Sequence, residues 1–140
     1  MPKVLISDSL AEQGVAVLEQ ASGIEVINRP GCSPAELLEL IADADGLAIR
    51  SNTKVSSEVI AAAKNLRIVG RAGIGVDNVD IGAATKAGIV VVNTPEGNNI
   101  TTAEHAIALM VSLARHIPQA TASMKAGKWE KKKFQGMELY

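Results

Sequence analysis

Short runs of β-branched and aliphatic residues alternate along the chain with stretches whose apolar positions recur at helical spacing. This alternation predicts βαβ units around a mostly parallel sheet. Five runs predict strands, at residues 4–7, 24–28, 46–50, 67–71 and 89–93. Between them, residues 11–20 carry Val15 and Leu18 at helical spacing, with Gly23 as a stop. Ser33 or Gly31 leads into Pro34, a favoured first helical position, and residues 34–43 gather Leu37, Leu38 and Ile41 on one face. Ser56 or Ser57 caps a helix over 58–63, and Asp80 opens a small Ala-rich helix that Gly88 ends. A run as apolar as Ile89-Val90-Val91-Val92 fits a sheet covered on both faces. Right-handed crossovers leave a doubly wound α/β sheet of five parallel strands, for which the flavodoxin-like order 2-1-3-4-5 is the commonest choice.

After Pro95 the pattern changes. Thr101-Thr102-Ala103-Glu104 reads as a capping box, and the helix it opens carries Ile107, Leu109, Met110, Val111, Leu113 and Ala114 around almost its whole circumference. Such a helix needs cover on several sides. It either packs on its own domain or is made for a second domain or subunit. Pro118 kinks or restarts it, and it ends near Gly127.

Composition narrows the function classes. The chain has 140 residues, 47% of them hydrophobic and 21% charged, with 14 Lys+Arg against 15 Asp+Glu. That balance disfavours disorder and a basic nucleic-acid coat. No apolar stretch reaches the roughly 18 to 20 residues of a membrane helix, and no leader pattern opens the chain, so the expected address is cytoplasmic. The single Cys32 provides neither a disulfide nor a paired-cysteine metal site. Trp129, Phe134 and Tyr140 are the only aromatics. Residues 125–140 carry +3 while the rest of the chain carries −4. The chain changes character near residue 97, so 1–97 and 98–140 are expected to be separate domains.

In a parallel sheet, ligands bind beyond the carboxyl ends of the strands. The residues there are Ser7-Asp8, Arg50-Ser51-Asn52-Thr53, Arg71-Ala72-Gly73-Ile74-Gly75 and Asn93-Thr94. Arg50 and Arg71 end neighbouring strands about 4.8 Å apart, so their guanidinium groups are placed to converge on one small anion. Ser51, Asn52 and Thr53 would add neutral hydrogen bonds. Gly73 and Gly75 begin a G-x-G-x-x-G, but Asn78 stands where its third glycine belongs, leaving a loop whose N–H groups a ligand can approach. His105 and His116 lie in the apolar helix and read as packed or solvent-tipped residues, and no nucleophile elbow or zinc motif is present. Catalytic and metal-ligating residues are therefore expected to be absent.

Three segments resemble the D-isomer-specific 2-hydroxyacid dehydrogenase family: Val69-Gly70-Arg71-Ala72-Gly73-Ile74-Gly75-Val76-Asp77-Asn78-Val79-Asp80, then Val92-Asn93-Thr94-Pro95-Glu96-Gly97-Asn98, then Ala103-Glu104. Residues 113–120 and Gly127-Lys128-Trp129-Glu130, with 131–134, resemble the branch of that family acting on 3-phosphoglycerate. The resemblance implies a two-domain NAD-dependent oxidoreductase forming 3-phosphohydroxypyruvate, the entry step of serine biosynthesis. By position it assigns Arg50, Ser51 and Arg71, with the backbone of Gly73, Ile74 and Gly75, to the substrate's phosphate or carboxylate. Ile74 would also face the nicotinamide, and Asn98 would line the cleft mouth. The helix over 102–126 and the aromatic end segment would make domain and homo-oligomer contacts.

The family's glycine fingerprint falls after the equivalent of 136–139, and its catalytic Arg, Glu and His come later still. The chain is thus expected to be the N-terminal part of such an enzyme, inactive alone and without tight NAD binding. Competing readings are a glyoxylate or hydroxypyruvate reductase of the same family, or a freestanding flavodoxin-like anion-binding module. Against the last, a phospho-receiver would need an aspartate where Arg50 stands, and a flavin carrier would need aromatics that the first 128 residues lack.

Overall fold

The computed structural model describes residues Met1–Tyr140 and divides into two compact units, Met1–Gly97 and Asn98–Tyr140. The first unit is a five-stranded parallel sheet in the expected order β2-β1-β3-β4-β5. Its strands are β1 (Lys3–Ile6), β2 (Glu25–Asn28), β3 (Gly46–Ile49), β4 (Ile68–Arg71) and β5 (Val90–Asn93). The connecting helices are α1 (Glu12–Glu19), α2 (Pro34–Ile41), α3 (Ser57–Ala62) and α4 (Ile81–Lys86).

Crossover direction decides which helix covers which face. The chain moves one way through the sheet from β1 to β2 and the opposite way at every later step, so right-handed connections put α1 on one face and α2, α3 and α4 on the other. Side chains alternate between those faces. The row Ile27, Leu5, Leu47, Val69, Val91, set by the strand register, points at α2–α4 and joins Leu37, Ile41, Val59, Ile60 and Ala84 in the main core. On the α1 face, Ile6 is fully buried, whereas Ile68, Val90 and Val92 towards the β4–β5 edge are 43%, 56% and 44% exposed. The expectation of a sheet covered on both faces therefore fails along β4 and β5. Of the first unit's helices only α1 lies on that face, and it crosses between β1 and β2.

Helix starts follow local chemistry. Ser33 and not Gly31 caps α2: its hydroxyl accepts the Glu36 N–H at 3.3 Å while the Glu36 carboxylate accepts the Ser33 N–H at 2.8 Å. Ser56 caps α3 and Asp80 caps α4, each by its side chain alone.

The second unit holds α5 (Asn99–Ala114), α6 (Ile117–Lys125) and a 3-10 turn, Lys131–Phe134. The expected capping box at Thr101 is absent. Thr102 N–H already donates to the Asn98 carbonyl at 2.9 Å, so the helical ladder is running before Thr101, and Asn98 is the N-cap without a side-chain cap bond. The break falls at His116, which is left-handed with φ 52° ahead of Pro118. Gly127, at φ 73°, follows the end of α6. The apolar circumference of α5 lies open: Ile100 and Leu113 are each 75% exposed, and only Ala114 is buried. No helix of the chain is long and apolar enough to cross a membrane.

Candidate functional site

The loops after β1, β3 and β4 meet at the carboxyl end of the sheet. What draws them together is a buried carboxylate. Asp8, 2% exposed, accepts the Arg50 N–H at 2.7 Å, the Thr53 N–H at 3.1 Å and the Thr53 hydroxyl at 2.9 Å. Burial disfavours its charge, but these bonds outweigh that and hold the carboxyl below its ordinary value. Ser7 and Thr53 hydroxyls share a further bond at 2.8 Å.

From the other side, Asn78 Nδ2 donates to the carbonyls of Arg50 at 2.8 Å and Thr53 at 2.7 Å. A parallel bridge between Val55 and Val79 continues the contact, with Val55 N–H on the Asn78 carbonyl at 2.8 Å. The segment 50–53 is thus clamped between Asp8 and Asn78. Thr53, expected to offer a hydrogen bond to ligand, is instead spent inside this clamp, because its hydroxyl and N–H both serve Asp8. Arg50, Ser51 and Asn52 remain exposed, and the Arg50 side chain has no partner within the chain.

The glycine loop is tied down by its carbonyls. The Gly73 carbonyl accepts Thr94 N–H at 3.0 Å, the Ile74 carbonyl accepts Asn93 Nδ2 at 2.6 Å, and the Gly75 carbonyl accepts Arg71 Nη1. The N–H groups of Ile74, Gly75 and Val76 have no acceptor within the chain. Free N–H groups in a loop are available to an incoming anion.

Arg71 and Arg50 are adjacent but do not present a joint pair of guanidinium groups. The Arg71 side chain, 11% exposed, folds back so that Nε donates to the Arg50 carbonyl at 3.3 Å, and Nη2 lies 3.6 Å from Asp77 Oδ1. Arg71 therefore braces the glycine loop against the backbone of Arg50. Ile74 is 41% exposed beside the free N–H groups. Asn98 is exposed in the second unit.

The residues that reasoning from sequence missed are Asp8 and Asn78. Asp8 was visible as a post-strand residue, and Asn78 only as a failed fingerprint glycine. A cavity of about 450 Å³ between α2 and α3 shares Asp8 and Thr53 with the clamp but contains neither arginine. Cys32 lines it, and burial, then the charges of Glu36 and Asp8, push its thiol up, away from a reactive thiolate.

A doubly wound α/β sheet with free backbone N–H groups in a loop at its carboxyl end defines the class of α/β domain in which ligands bind beyond the strand ends. Residues 4–134 match the family described as D-isomer specific 2-hydroxyacid dehydrogenase, catalytic domain, and the chain belongs to that family. It is 51% identical over 140 residues to D-3-phosphoglycerate dehydrogenase of Synechocystis sp., covering 100% of the chain and 25% of that protein. It is 55% identical over 137 residues to D-3-phosphoglycerate dehydrogenase of Archaeoglobus fulgidus, covering 98% and 26%. Among solved structures, an NAD⁺-bound 3-phosphoglycerate dehydrogenase of Entamoeba histolytica superposes with a TM-score of 0.72 at 33% identity, covering 99% of this chain and 43% of that one. The chain spans about a quarter of the length of the curated relatives it matches.

Proposed function

We propose that the first unit is the substrate-binding domain, and the second the start of the nucleotide-binding domain, of an NAD-dependent enzyme that oxidises 3-phosphoglycerate to 3-phosphohydroxypyruvate in serine biosynthesis. The observation that carries this reading is the loop 73–76, whose carbonyls are tied inward and whose free N–H groups lie beside Arg50 and Arg71. Such a site receives the anionic end of a small acid. The names of the relatives support the particular acid.

Arg50, Ser51 and Arg71, with the N–H groups around Gly73, Ile74 and Gly75, hold and orient the substrate's phosphate or carboxylate. For NAD the residues present do not supply a phosphate cradle. Position 78 is Asn78, whose amide is committed to two carbonyls. Ile74 alone offers an apolar contact suited to a nicotinamide ring. The groups assigned to the substrate are guanidinium, hydroxyl and backbone N–H donors, so this chain's share of the reaction is binding and orientation. In a cytoplasmic homo-oligomer, α5, α6 and the aromatic end segment would be covered by protein.

A substrate panel on the complete enzyme tests the reading. The expected preference is for 3-phosphoglycerate over glyoxylate and hydroxypyruvate, with Arg50→Ala raising KM at least about tenfold, the order of one charge-assisted contact, and leaving kcat nearly unchanged. Preference for glyoxylate would move the assignment to the reductases of the same family. The 140-residue chain alone is expected to form no NADH from 3-phosphoglycerate.

A further inference from the structure

A guanidinium offers donors on three nitrogens. In Arg71, Nε is taken by the Arg50 carbonyl and one N–H of Nη1 by the Gly75 carbonyl, so Nη2 is the nitrogen whose two donors are both left for an incoming anion. The group facing Nη2 is the carboxylate of Asp77, at 3.6 Å. That carboxylate is 85% exposed and has no other partner in the chain. Gly75 leaves room for the approach: a Cβ there would lie 2.8 Å from Asp77 Oδ1 and 3.4 Å from Arg71 Nη1. An anionic side chain of the protein thus stands at the arginine edge that a substrate anion would use.

We infer that Asp77 is an internal competitor for the anion site, a residue that sets substrate affinity by occupying the Nη2 edge of Arg71 until the ligand's anionic group displaces it. This rests on the reading of the loop as the substrate's anion site. On displacement Arg71 exchanges one carboxylate for another or for a phosphate, and Asp77 swings into solvent. No covalent bond changes. Only the fraction of protein with the pair broken is competent to bind, so apparent affinity is reduced by that fraction whatever the ligand's charge. Exposed pairs of this kind correspond to a factor of about two to five.

The test is a titration of the 140-residue chain by amide NMR with sulfate and, separately, acetate, at one fixed ionic strength, in wild type, Asp77→Asn and Asp77→Ser. Both anions are expected to shift the Ile74, Gly75 and Val76 amides. Both variants are expected to tighten both anions by the same factor, about two- to fivefold. Two uncharged replacements separate loss of the competitor from any local defect of one of them. Equal affinity in wild type and variants, or weaker binding in both variants, overturns the role of Asp77 while leaving the anion site standing. A gain for sulfate about twice that for acetate on a logarithmic scale also overturns it, because that is simple repulsion. If neither anion binds any of the three proteins, the anion-site reading fails and takes the competitor with it.

Discussion

Asp8 accepts the backbone N–H of Arg50, 42 residues away at the end of the neighbouring strand, at 2.7 Å. The arginine assigned to the substrate is therefore positioned by its main chain, leaving its guanidinium unengaged. Removing the acceptor character of Asp8 should act on loop 50–53 first. Asp8→Asn turns one oxygen into an NH2 aimed at N–H donors. The expected loss is about 2 to 4 kcal/mol, since a buried carboxylate bonded by several donors is broken. Urea unfolding of the 140-residue chain measures it. An unchanged midpoint would show that the clamp does not hold the loop.

The same carboxylate makes stability depend on acid. Its folded-state pKa lies below its ordinary value of 3.8, so its contribution is fully present above that value and is lost as pH falls through the lower folded value. The urea midpoint of the wild type should fall below about pH 4. In Asp8→Asn that part of the fall should be missing.

Asn78 closes the clamp with a single amide. Its Nδ2 holds two carbonyls, whereas its Oδ1 is buried without a partner. Asn78→Ala should cost about 1 to 3 kcal/mol, because the Thr53 carbonyl loses its side-chain donor and the Arg50 carbonyl keeps only Arg71 Nε, while one unsatisfied oxygen is removed. Asn78→Asp should cost more, because a second oxygen then faces the carbonyls. Urea midpoints of the two variants rank them. If Asp were the milder change, Nδ2 could not be the atom that holds the Arg50 and Thr53 carbonyls.

In the second unit, Met137 N–H donates to the Ala114 carbonyl at 2.9 Å, which returns the end segment to the end of α5. Gly136 permits this approach: a Cβ there would collide with the Ala114 carbonyl and sit 2.8 Å from the Arg115 Cα, both backbone atoms that cannot step aside. Gly136→Ala should release the segment. Faster hydrogen exchange at the Met137 amide, with α1–α4 unaffected, is the expected reading.

The fold and family were legible in the amino-acid sequence to a useful depth. Strand order followed from aliphatic runs, helical spacing and crossover handedness, because each depends on neighbours within about a dozen residues. The landmarks Arg50, Arg71, Gly73 and Gly75 followed from their places after strands. Helix boundaries were less secure. Thr101 looked like a cap because its residues suit one, yet the ladder had begun at Asn98.

Tertiary structure decided how the site is assembled. Asp8, Thr53 and Asn78 meet across gaps of 45 and 25 residues, and no local pattern marks a carboxylate whose partners are backbone N–H groups of another loop. Thr53 looked available to ligand and proved committed. Arg71 looked like the twin of Arg50 and proved to brace its own loop, since a long side chain settles where carbonyls and charges are brought within reach. Local sequence determined which elements form and in what order they lie. The three-dimensional meeting of their ends determined which polar groups are spent on structure and which are left for a ligand.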